Sequence, residues 1–192
     1  MAHTAPALET QGLEIAPGPW TLDTAHSNAH FSVRHMMISN VRGEFTRITG
    51  DVSIDPRDLT RSFVNVAIDT ASVNTREEQR DVHLRSADFF DAEKHPKITF
   101  RSKRIEAVGE REFRVIGDLT IRDVTREVAF AVDGPTPVVK DPWGNLRTGI
   151  TATAKINRKD FGLTWNAFVE GGGVLVGEEV KIEFDAELVH PA

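Results

Sequence analysis

VNTREEQRDVHLRSADFF, residues 73–90, decides the reading of this chain, because it alone carries the marks of a helix while the sequence on either side alternates as strand. Asn74 can cap a first turn, and Glu77, three residues on, can reach back toward the cap backbone, close to a capping box. A helix is therefore expected to start at Thr75. Arg76 to Asp81 are polar, whereas Val82, Leu84, Phe89 and Phe90 crowd toward the C-terminal end. Such a helix buries only its end and a narrow side. It is expected as a short cap whose apolar end packs on a sheet that curves around it.

Upstream of this stretch, residues 1–18 read as a flexible tail rich in Ala and Pro, and the domain is expected over residues 19–190. Trp20 to Val33 reads as one strand, with Phe31, Val33 and His35 on one face, and Met36, Met37 and Ile38 thicken its apolar side. Gly43 is expected to turn the chain before a second strand from Phe45 through Ile48 and Val52 to Ile54. A third carries Val64, Val66 and Ile68. Downstream, Ile98, Phe100 and Ile105 form a strand, and Phe113, Val115, Gly117, Leu119 and Ile121 alternate over nine residues, long for a strand and suited to a curled sheet. Val128 to Val132, Ile150 to Ile156 and Val180 to Leu188 complete about eight strands, with a loop, GPTPVVKDPWGN, before the seventh.

Antiparallel strands sharing one apolar face must pack on a second sheet or close on themselves. The expected fold is all-β: an eight-stranded antiparallel β-barrel with one capping α-helix. Eight strands enclose a space just wide enough to fill with side chains or to hold one slender ligand. Small residues at interior positions, Gly117, Ala152, Ala154 and Ala186, argue for space.

Composition removes several functions. The chain has no cysteine, so disulfides, a thiolate nucleophile and cysteine metal ligation play no part. A formal net charge of −6 argues against a dedicated nucleic-acid binder, and single-strand stacking lacks tyrosine. No stretch approaches the ~20 apolar residues of a membrane span. The N-terminus shows no basic leader, so a cytoplasmic location is expected, although a mature exported relative in the periplasm would look the same. No GxSxG elbow, HExxH helix or P-loop occurs, and Gly171 to Gly173 reads as a flexible hairpin tip. His26 and His30 share a strand face about 13 Å apart, too far to hold one ion. No metal site is expected. Asp81 and His83 resemble an acid–base pair, but two residues apart on a helix they point to different sides. A homodimer through a strand edge is open.

Five ordered blocks carry a resemblance: WTLDTAHSNAHFSVRHMMISNVRGEF, RDVHLRSADFFDAEKHPKITFRS, GDLTIRDVT, INRKDFGL and VGEEVKIE. Together they resemble the YceI family of lipocalin-like, polyisoprenoid-binding proteins, from Trp20 to about Leu188. The resemblance implies an extended, lipocalin-like antiparallel β-barrel with a helical cap. It also implies a long isoprenoid or other amphiphilic lipid inside as ligand, for storage, transport or protection, with no catalytic residue and no cofactor beyond that lipid. One departure is Asp123, where the family commonly has Gly; a changed turn is expected there.

The wall expected to meet the ligand comprises Phe31, Val33, Met36 and Phe45 from the first part of the chain, and Val66 and Ile68 from the third strand. Leu84 and Phe89 join it from the cap. Further along, Phe100, Leu119, Phe130 and Ala152 are expected inside, as are Trp165 and Phe184. Arg80, His83 and Arg85 are candidates for a phosphate or carbonyl head group. Some 40 carbons at about 0.3 kcal/mol each amount to roughly 12 kcal/mol, nanomolar affinity without a strong polar anchor. Two other readings compete: an enzyme acting on an isoprenoid or lipid through Asp81 or His83, and a ligand-free interaction module with a filled barrel.

Overall fold

In the computed structural model, which describes residues 15–170 and 172–191, the alternating stretches are strands of a single twelve-stranded sheet. The first six are β1 (Gly18–Leu22), β2 (Asn28–His35), β3 (Ser39–Phe45), β4 (Ile48–Ile54), β5 (Phe63–Asp69) and β6 (Val73–Asn74). The helix α1 (Glu78–Arg85) follows, and then β7 (Lys97–Ala107), β8 (Glu112–Ile121) and β9 (Val124–Asp133). The short β10 (Val139–Lys140) precedes the long pair β11 (Leu146–Asn157) and β12 (Val176–His190). Pairing runs β11, β9, β8, β7, β5, β4, β1, β12, and the β11–β12 ladder closes that ring into an eight-stranded antiparallel barrel. At about 3.3 Å per residue, β12 follows some 50 Å of contour, so the barrel is extended.

The ring differs from the simple count of strands in one place. Trp20 to Val33 is two strands, broken at residues 23–27, where Asp23 accepts from the Ala25 N–H. The free edge of β12 is shared: β1 pairs with it at Thr21 and Leu22, and β2 takes over along Val180 to Asp185. The β2–β3 hairpin thus raises the wall beyond the end of β1. Within the expected loop, Val139 and Lys140 form a two-residue ladder with β11.

Two glycines shape the interior. Gly43 does not turn the chain; it lies within β3 opposite Phe31, where a Cβ would run into the Phe31 ring and the Thr75 methyl. Gly117 in β8 seats Phe100, whose Cζ would lie 2.7 Å from an added Cβ, beside a bulge in β7 between Ser102 and Arg104. The space expected at Gly117 therefore belongs to a neighbouring ring. Such pairing of a bare backbone position with an aromatic ring allows the sheet to curl tightly.

The tail boundary shifts slightly. Residues 1–14 lie outside the described residues, but Ile15 and Ala16 pack on the core, and the fully buried Trp20 donates its indole N–H to the Ala16 carbonyl at 3.0 Å. The helix also begins later than its sequence suggests. Glu77, not Asn74, is the N-cap, accepting from Gln79 N and Arg80 N, while Asn74 closes a local turn by accepting from Arg76 N. Phe89 and Phe90 follow the helix in turns, and Val82 faces solvent. No described helix is long and apolar enough to cross a membrane.

Candidate functional site

The barrel axis holds a cavity of about 400 Å³, within the roughly 300–1,000 Å³ range of ordinary ligand sites. Its wall is almost wholly apolar. Phe31 and Val33 of β2, Phe45 of β3, and Val66 and Ile68 of β5 line it. From the other side come Phe100, Leu119, Phe130, Ala152 and Phe184, with Phe100 and Phe130 edge-on at 5.0 Å. Leu84, Phe89 and Trp165 contribute at the α1 end. Met36 is not part of the wall. With Met37 it forms the crest of the β2–β3 hairpin, both at positive φ, and the side chains of Met37 and Ile38 are 60% and 77% exposed. The alternation that aims Phe31 and Val33 inward ends at His35, so the three residues after it turn out to solvent.

At the α1 end the wall becomes polar. Arg80 and His83 line the cavity, whereas Arg85 does not; it donates to the Ala71 and Val73 carbonyls and pins the helix to the segment before it. Asp81 is 4% exposed and accepts from Thr75 N at 2.9 Å and from Thr75 Oγ1 at 2.6 Å. The same Thr75 hydroxyl accepts from Arg80 Nε at 2.7 Å, so Asp81 acts as a structural anchor of the cap and is not on the cavity wall. His83 Nε2 lies 2.8 Å from Asp88 Oδ2, and its ring packs edge-on against Trp165 at 4.6 Å and Phe89 at 5.0 Å. Asp81 and His83 thus have separate partners, as their helix spacing requires. Phe168, by contrast with Trp165, is 94% exposed on the hairpin that leads to Gly172 and Gly173; Gly171 lies outside the described residues.

Among the lining residues that sequence reasoning missed is a buried cation. Arg158 follows β11 and is 4% exposed, its guanidinium donating to the carbonyls of Gly177, Leu163, Trp165 and Val176. Desolvation holds its pKa below the usual arginine value, partly opposed by the field of Glu178. Nothing in the INRKDFGL stretch marked that arginine as inward, since its partners are backbone carbonyls, three of them at Trp165, Val176 and Gly177 further along the chain.

The sequence profile of the YceI-like domain matches residues 20–188. The chain belongs to the YceI-like family. UPF0312 proteins of Staphylococcus aureus, from strains N315 and USA300, are 39% and 40% identical to it over 169 residues, covering 88% of this chain and 95% of each relative. Among solved structures, this YceI-like barrel is similar to the Campylobacter jejuni YCEI protein, with a TM-score of 0.68 and 27% identity over 83% of this chain and 90% of that one. Burkholderia cenocepacia BcnA shares the fold at a TM-score of 0.72 and 23% identity, covering 86% of this chain and 98% of BcnA. A Saccharophagus degradans domain described as polyisoprenoid binding matches at 0.65 and 17% identity, over 92% of this chain and all of that one.

Where the YceI-like sequence has Asp123, the turn after β8 places both Arg122 and Asp123 at positive φ, 51° and 62°. Aspartate tolerates that conformation better than most residues. The Asp123 carboxylate also comes to 3.1 Å from His95 Nδ1.

The far end of the barrel carries a second polar cluster. Asp23, His26 and Glu187 present ligand atoms within 4.8 Å of one another, a grouping that the histidine spacing did not suggest because His26 lies in the turn after β1. Their centre is taken by a cation already. Arg147 donates to Asp23 at 2.6 Å, to Asp141 at 2.8 Å, and to Glu187. The hydrogen bonds from Arg147 and then His26 hold the Asp23 carboxyl at about 2. This is an ion-pair knot, and a metal ion would have to displace the guanidinium.

Proposed function

We propose that the barrel holds one long, slender apolar chain, an isoprenoid or another lipid, along its axis, with the head group at the α1 end beside Arg80 and His83. The observation that carries this reading is the cavity wall, aliphatic and aromatic from Leu22, Ile54 and Leu188 at one end to Phe89 and Trp165 at the other. Removing a CH₂ group from water is worth about 0.8 kcal/mol, so a chain of this kind has little reason to leave such a tube for water. The similar Saccharophagus degradans domain, described as polyisoprenoid binding, supports the same ligand class. The role that follows is storage, transport or protection of a lipid. Of the two residues on which the enzymatic reading rests, Asp81 is occupied by Thr75 and His83 is paired with Asp88.

Organic extraction of the purified full chain with mass spectrometry, together with native mass spectrometry to count bound molecules, tests the proposal. One long-chain species per barrel is expected. Ala152→Trp fills the middle of the cavity, where Ala152 packs among Phe113, Val115 and Val132. The folded variant should lose most of the lipid. Unchanged lipid content in a folded Ala152→Trp protein overturns the axial placement.

A further inference from the structure

We propose that the barrel selects amphiphiles with an anionic head group, a carboxylate or a phosphate, over neutral ones bearing the same tail, through Arg158 and Arg80 at the α1 end. The inference rests on the proposed function and adds the chemistry of the head group.

The argument starts from the distribution of charge. The chain carries a formal net charge of −6, and cations such as Arg47, Lys103 and Arg147 are paired with Asp69, Asp118 and Asp23. Neither Arg80 nor Arg158 has a carboxylate within 4.0 Å among the described residues. Both line the cavity, whose only acidic lining residue among the described residues, Asp51, is exposed on β4. The carboxylates near this end are committed elsewhere. Glu178 pairs with Lys159, Asp88 with His83, and Asp81 accepts from Thr75.

Both arginines line the cavity and are linked through one run of contacts at the α1 end. Arg158 Nη1 donates to the Trp165 carbonyl at 2.8 Å, the Trp165 ring packs on His83 at 4.6 Å, and Arg80 precedes His83 by one turn on α1. A guanidinium has five N–H groups. Four of those on Arg158 are taken by backbone carbonyls, leaving one on Nη2 without a protein acceptor among the described residues. Carbonyl dipoles hold this cation in place but leave its charge intact. Charge is poorly screened in an apolar cavity, so a buried cation with no carboxylate in direct contact favours a ligand that brings one. A carboxylate or phosphate oxygen fits a guanidinium N–H by charge and by geometry, whereas an alcohol supplies only a neutral acceptor.

Displacement of Nile red from the full-length protein by matched ligands is the test. Geranylgeranyl monophosphate is compared with geranylgeraniol, and hexadecanoate with hexadecanol. Each anion is expected to bind at least about tenfold more tightly than its alcohol. A preference confined to the phosphate or to the carboxylate supports the proposal and identifies which anion the site takes. Arg80→Gln and Arg158→Gln should each reduce that preference, weakening the anion more than the alcohol. If Arg158→Gln unfolds its loop, Arg80→Gln and the wild-type comparison still decide. Equal affinity of anion and alcohol for the wild-type protein overturns the selection and leaves the lipid-binding reading standing. Failure of all four ligands to displace the dye overturns both.

Discussion

Met36 and Met37 have φ values of 49° and 61°, and Ile38 N closes the turn on the His35 carbonyl at 3.0 Å. Two consecutive left-handed residues make the turn that suits a tight hairpin, usually built from Asn and Gly. For an L side chain the left-handed region costs roughly 1–2 kcal/mol per residue. Met37→Gly should therefore raise stability by about 0.5–1 kcal/mol, after the greater freedom of glycine in the unfolded chain is subtracted. A thermal melt reads this as a higher midpoint; a lower one shows that the methionine side chain contributes contacts its exposure hides. The same turn explains why Met36 left the predicted wall. Nothing in HMMIS signals a hairpin crest, because the usual turn residues are missing and the run stays apolar past the end of β2.

The helix α1 has eight residues, too few to be stable alone. It is held by its ends: Glu77 caps its first turn, Arg85 ties its last turn to Ala71 and Val73, and Asp81 binds Thr75 from below. Asp81→Ala leaves the Thr75 N–H and hydroxyl without their buried acceptor, at a cost of about 1–3 kcal/mol. That cost should fall on the cap and spare the barrel. Amide hydrogen exchange over residues 74–90 is expected to accelerate at least about tenfold, with β8 and β9 unchanged. An equal acceleration throughout the barrel would make Asp81 part of the global core. The existence of a helical cap was legible from the polar run before an apolar end. Its start was not, because Asn74 is a favoured N-cap residue and glutamate is not, and only the pairing of Val73 and Asn74 with β3 leaves the cap to Glu77.

At the scale of the whole molecule, one ion-pair knot spans the seam where the barrel closes. Arg147 on β11 reaches Asp23 after β1, Asp141 before β11 and Glu187 on β12. The Asp23 carboxyl is held at about 2, chiefly by Arg147 and then by His26. Asp141 also lies at about 2: burial pushes it up, and the bonds from Arg147 and Asn145 more than offset this. Both pKa values fall below the roughly 3.9 of an unfolded aspartate. Their stabilisation is therefore complete above about pH 4 and is lost as the pH falls through about 2. Acid unfolding should steepen in that window, and Arg147→Met should remove the steepening while lowering stability at neutral pH. A variant with an unchanged acid profile would assign the transition to other carboxylates.

Local pattern sufficed for the strands, the cap and an apolar inner face, because alternation with period two is a property of neighbouring residues and survives any change of partner. The YceI-like blocks supplied their order. Closure is another matter. That β11 and β12 complete the ring, that β2 displaces β1 along β12, and that Phe31 and Phe100 lie over Gly43 and Gly117 are pairings between distant segments. No window of sequence contains them. The same holds for Arg158, polar by composition, which only the surrounding carbonyls of Leu163, Trp165, Val176 and Gly177 turn into a buried cation at the end of an apolar tube.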